Sequence, residues 1–70
     1  MSIGEIINDI QSKVNTNVVV QVQSYGRVFV YDQLGEIVTQ DEAICVYRED
    51  GETTDEMIGR ALVCLKDRIV

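Results

Sequence analysis

Three observations predict a small α+β fold, an antiparallel sheet with a helix at each end of the chain. Apolar residues recur at helical spacing near both termini. Between them the apolar residues alternate with a period of two. The connections between the alternating runs are too short for parallel crossovers. The predicted order is α-β-β-β(-β)-α, an antiparallel meander of three or four strands within one domain spanning residues 1–70.

The first helix is read from Ile3, Ile6, Ile7, Ile10 and Val14, which fall on one stripe. Ser2 can cap it, and Glu5 three residues later fits a capping box. Asn15, Thr16 and Asn17 supply stop and turn chemistry. In the run "NVVVQVQ", Val18, Val20 and Val22 share one strand face, and Val19, Gln21 and Gln23 the other. A turn at Ser24–Gly26 leads to "RVFVY", with Val28 and Val30 opposite Arg27, Phe29 and Tyr31. "DQLGE" reads as a further turn and "IVT" as a short third strand. "AICVY" follows, with Ile44 and Val46 opposite Ala43, Cys45 and Tyr47. "IVT" and "AICVY" fit either two strands or one long bent strand. In "REDGETTDE", "EDG" is a turn and Thr53 with Glu56 forms a second capping box. Asp55 and Glu56 then sit at the positive end of the helix dipole. Ile58, Ala61, Leu62, Leu65 and Ile69 form the stripe of this last helix, with Lys66 and Arg68 near its other end.

A chain of 70 residues buries a modest core, so oligomerisation is the natural supplement where no metal or disulfide staples the fold. Cys45 and Cys64 lie in apolar runs and read as small buried hydrophobes, not as a disulfide framework. "MSIGEII" lacks the basic start and long apolar run of a signal peptide, and no apolar run is long enough to span a bilayer. A soluble protein in the reducing cytoplasm is expected, with no membrane partner.

Histidine is absent, which removes Ser–His and Cys–His nucleophilic pairs and the usual zinc ligands. With Gly51 at the sixth position of an EF-hand loop, the first, third and twelfth positions would fall on Val46, Arg48 and Met57, and the pattern fails. Gly26 and Gly35 are isolated turn glycines, not a phosphate-cradling loop. No cofactor, metal or catalytic residue is expected.

Net charge is −6 and unevenly spread: Asp32 to Glu56 carries −8 and the remainder +2. Clustered Lys and Arg are missing, so direct nucleic-acid binding is not expected, whereas a basic protein surface is a fitting partner. Two surfaces are candidates. The first is the acidic centre, Asp32, Glu36, Asp41, Glu42, Glu49, Asp50 and Glu52, whose residues fall at turns and are expected to cluster. The second is the sheet face bearing Val19, Phe29, Tyr31 and Tyr47. This face is a homo-oligomer interface if both helices cover the opposite face, or a second core if one helix packs on each.

The amphipathic opening "MSIGEIINDIQSKV", the short strands and the acidic second half resemble small phage-encoded inhibitors of the Cas9-blocking anti-CRISPR type. That resemblance implies a non-enzymatic inhibitor that occupies a basic DNA-binding surface as a phosphate mimic. The element order is also similar to double-stranded RNA-binding domains. Those depend on lysines where this chain reads "GETTDE", so the likeness does not extend to RNA binding. The expected function is a non-catalytic acidic interaction protein, encoded by a phage or mobile element, that inhibits or modulates a basic partner. The rival is an assembly module that builds a homo-oligomer through the aromatic sheet face.

Overall fold

The computed structural model describes residues 2–24 and 26–69. Helix α1 spans Ile3–Lys13, strand β1 Val18–Gln23, strand β2 Arg27–Asp32, strand β3 Ile44–Tyr47 and helix α2 Thr54–Lys66. A short 3-10 helix, Gln40–Glu42, precedes β3. The chain is thus α+β, with an antiparallel sheet in the order β1-β2-β3 between two terminal helices.

Both helix starts follow from their caps. Ser2 Oγ accepts from the Glu5 N–H at 3.2 Å. At α2 the capping box is complete: Thr53 Oγ1 accepts from the Glu56 N–H, and Glu56 Oε1 from the Thr53 N–H, both at 3.1 Å. Each such cap contributes about 1 kcal/mol by satisfying donors that the first turn leaves bare. Beyond the caps, Ile6 and Ile10 of α1 and Met57, Ala61, Leu62 and Leu65 of α2 are buried.

The strands pair without a bulge. Val20 stands opposite Val30 and Val22 opposite Val28 in the first ladder, with Val28 opposite Val46 and Val30 opposite Ile44 in the second. The register aligns the even-numbered residues of all strands on one face. Both helices cover that face: α2 lies over β2 and β3, and α1 lies beside α2 over β1. Val28, Val30, Leu62, Leu65 and Ile10 are fully buried between the layers. Burying each such side chain stabilises the fold by about 1.5–3 kcal/mol. The two helices run in the same direction, since their N-terminal residues line one groove and Asp9 of α1 bridges Lys66 near the end of α2.

Several expectations are corrected. "IVT" forms no strand. Val38 makes one backbone–backbone bond to β2, from the Asp32 N–H to its carbonyl, and packs into the core. The segment is instead wound around the Asp32 carboxylate, which accepts from Glu36 N–H (2.6 Å), Ile37 N–H (2.8 Å) and Val38 N–H (2.9 Å). Thr16 closes the far side, its hydroxyl accepting from the Leu34 N–H and bonding the same carboxylate. Gly35, with φ 69°, makes the tight turn that a residue with Cβ would strain. Cys45 is only half-buried and Cys64 is exposed, so neither is a core thiol. The predicted Ser24–Gly26 turn is centred on Tyr25, which lies outside the described residues.

Candidate interaction surfaces

The acidic centre does not form one surface. Glu36, Asp41 and Glu42 are exposed in the β2–β3 connection, at one end of the sheet. Glu49, Asp50 and Glu52 follow β3, at the other end. The four residues of β3 separate the two groups, by about 13 Å at 3.3 Å per residue. A meander places successive connections at opposite ends, which is why the expected single cluster divides. Asp32 belongs to neither group, being 1% exposed. Burial pushes its carboxyl up, but the bonds from Val38, Ile37, Glu36 and Thr16 outweigh that and hold it below its ordinary value. Its charge is spent on the loop and is unavailable to a partner.

At the β3–α2 end, the acids divide again by what they touch. Glu52 grips Arg60 of α2 through two contacts, from Nε at 3.0 Å and Nη2 at 2.8 Å. Its Oε1 also accepts from the Glu49 N–H at 3.1 Å. The Arg60 bond, followed by that backbone bond, keeps the Glu52 carboxyl below its ordinary value, and the Glu52 bond raises Arg60 in turn. Arg60 Nη2 additionally donates to the Tyr47 carbonyl. Glu52 is therefore a structural acid that ties the loop to α2 and to the end of β3. Arg48, the other base nearby, bonds Thr54 Oγ1. Glu49, Asp50 and Asp55 remain exposed to solvent, Glu49 touching Arg60 only at 3.8 Å.

A groove of about 940 Å³ opens between the N-terminal halves of the helices. Ile3, Gly4 and Ile6 form its α1 side; Gly59 and Val63 form its α2 side; Glu52, Asp55 and Glu56 stand along its rim. A Cβ built on Gly4 or Gly59 meets no atom within 4 Å. The glycines are thus not required by packing within the chain, and each keeps the groove wider than alanine would. Helix α2 carries Gly59 at about 1 kcal/mol less helical stability than alanine would give.

The second candidate surface is bare, since both helices lie on the other face. Val19 stands opposite Tyr31, Phe29 lies between Gln21 and Cys45, and Arg27 between Gln23 and Tyr47. Tyr47 is 62% exposed, while Val19, Phe29 and Tyr31 are half-buried among their neighbours. The guanidinium of Arg27 lies 5.9 Å from the Phe29 ring centroid and donates to Gln23 Oε1. Gln21 Nε2 reaches the Tyr31 hydroxyl at 3.4 Å. Polar groups thus bond one another across this face and soften its apolar character.

Sequence reasoning missed Arg60, whose role depends on a contact between a loop and a helix that no helical spacing encodes. It also missed the buried Asp32. The available signal there was an Asp at a strand end just before a Gly-containing turn, which is Asx-turn chemistry.

Among the described residues, no three His, Cys, Asp or Glu side chains are grouped to hold a metal ion, and no helix is long and apolar enough to cross a membrane. No protein-family model, curated protein or solved structure matches the chain.

Proposed function

We propose that this chain is a non-catalytic interaction protein that inhibits or modulates a partner by docking a basic, amphipathic segment in the groove between α1 and α2. The observation that carries this reading is the combination of an apolar floor, from Ile3, Ile6 and Val63, with an acidic rim that includes Asp55 and Glu56. A helix with one apolar stripe and flanking Lys or Arg matches both features. Gly4 and Gly59 admit close approach of its backbone. The reading narrows the phosphate-mimic idea: the partner presents an apolar ridge as well as positive charge. Glu49, Asp50 and Asp55 supply the attraction, while Glu36, Asp41 and Glu42 lie at the other end and take no part.

The test is a chemical-shift titration with a Lys-rich amphipathic helical peptide. Shifts should centre on the amides of Gly4, Gly59 and Val63, and affinity should fall with salt, because exposed charges are screened over about 8 Å at physiological ionic strength. Asp50→Asn with Asp55→Asn should weaken binding, and Gly59→Met, which fills the groove, should abolish it. Undiminished binding by both variants, or shifts centred on the bare sheet face, would overturn the reading.

A further inference from the structure

The two edges of the sheet differ in a way that selects a partner. Just before β1, Asn17 is turned towards the β2 side, since its carbonyl accepts from the N–H of Gln33, just past β2, at 2.8 Å. Backbone groups alternate sides along a strand, so Val19, Gln21 and Gln23 also face β2, and Val18, Val20 and Val22 face outwards. The Val18 N–H is closed by Gln11 Oε1 at 3.0 Å. Among the described residues, no strand lies beside the N–H and C=O groups of Val20 and Val22. At the opposite edge, Arg48 faces β2 through its bond to the Gly26 carbonyl, so Cys45 and Tyr47 face outwards. There Arg60 caps the Tyr47 carbonyl, and β3 has only four residues. One edge is short and partly closed; the other is longer and open.

We infer that the open β1 edge pairs antiparallel with β1 of a second copy of this chain, about a two-fold axis at Gln21. The register follows from which groups are free. With Gln21 opposite Gln21 of the second copy, Val20 and Val22 exchange N–H···O=C bonds with Val22 and Val20 across the axis. A register centred on Val20 would instead need the Val18 N–H that Gln11 already occupies. The Gln21 register also lays Val22, 55% exposed in one copy, against Val20 of the other on the helix-covered face.

Charge points to the same occupant. From Val14 to Gly26 the chain has no Asp, Glu, Lys or Arg, so identical strands meet without like charges opposite each other. Of the exposed acids, Glu36, Asp41, Glu42, Glu49 and Asp50 lie on the β2–β3 and β3–α2 connections, towards the other edge, and the rest lie on or beside the helices, so none stands on the β1 edge itself. Natural edges are commonly blunted by Lys, Pro or a bulge, and β1 has none of these. An isologous β1 pair also closes at two copies, whereas a head-to-tail pairing of β1 with β3 would propagate and is opposed by the Arg60 cap.

The proposal is independent of the groove between the helices, and its test needs no ligand. Solution mass should rise from monomer to dimer between micromolar and millimolar concentration. Over that range the Val20 and Val22 amides should exchange with solvent at least about tenfold more slowly, while the outward Cys45 amide is unaffected. Val22→Lys, which keeps the strand backbone, and Val22→Pro, which deletes one outward donor, should both stay monomeric with unchanged circular dichroism. Phe29→Glu with Tyr47→Glu should still dimerise. A wild type that is monomeric at millimolar concentration overturns the proposal. So does protection appearing at Cys45 instead, or a dimer that survives Val22→Lys but is lost in the Phe29 and Tyr47 variant. If Val22→Pro does not fold, Val22→Lys and the wild-type exchange pattern decide.

Discussion

Replacing Asp32 with alanine should destabilise the fold more than removing any exposed acid. Its carboxylate accepts three N–H groups, from Glu36, Ile37 and Val38. Val38 is buried, so its donor would be left bare, at a cost of about 1–3 kcal/mol. Ile37 is half-buried and Glu36 exposed; water can reach their donors, and each should lose only the net value of a hydrogen bond, about 0.5–1.5 kcal/mol. The expected loss is therefore about 2–6 kcal/mol, against a total stability of roughly 4–10 kcal/mol for a chain of this length. Urea unfolding of wild type, Asp32→Ala and the exposed control Gln33→Ala measures it. The control should stay within about 0.5 kcal/mol of wild type. A loss below about 1 kcal/mol for Asp32→Ala, with the denaturant slope unchanged, would refute the view that this carboxylate organises the β2–β3 connection.

Three further outcomes are expected. Because the folded-state value of Asp32 lies below its ordinary one, its contribution is present above about pH 4 and is lost as pH falls through the folded value. The stability gap between wild type and Asp32→Asn should therefore shrink below about pH 4, and a gap independent of pH would contradict the charge-based account. Gly59→Ala should raise stability by up to about 1 kcal/mol in thermal unfolding, since its Cβ meets no neighbour and α2 gains helical propensity; a loss would reveal a packing constraint. Leu62→Ala should cost about 2–5 kcal/mol as a fully buried truncation, and a cost under 0.5 kcal/mol, on the order of a surface substitution, would mean the α2 face is wrongly placed.

Much of the architecture was legible because it rests on periodicity. The alternation of Val18, Val20 and Val22 with Val28 and Val30 marks the face that the helices cover. Thr53 and Glu56 announce the start of α2 at Thr54, three residues before its first buried side chain, Met57, which the predicted stripe omitted. Periodicity says which residues of a helix are apolar but not which side of the sheet the helix takes, so the bare face could not be read. The candidate site was less legible still. Asp32 and Glu52 carry the same charge as Glu49 and Asp50, and composition counts them alike. What separates them is the direction of nearby N–H groups and the position of Arg60, both products of tertiary packing.

The packing of α1 and α2 over a single sheet face has a consequence for synthesis. The strands emerge from the ribosome before α2, whose Met57, Ala61, Leu62 and Leu65 supply much of the buried layer. Until α2 follows, Val28, Val30 and Val46 have only α1 available to shield them, and α1 lies over β1. A nascent chain that has cleared the ribosome as far as Thr53, with α2 still inside it, therefore displays an unshielded valine surface beside the open β1 edge. Such a surface favours capture by chaperones or association between neighbouring nascent chains, so pauses that hold α2 inside the ribosome after the strands have emerged should lower the yield of folded protein more than pauses after α2 has emerged.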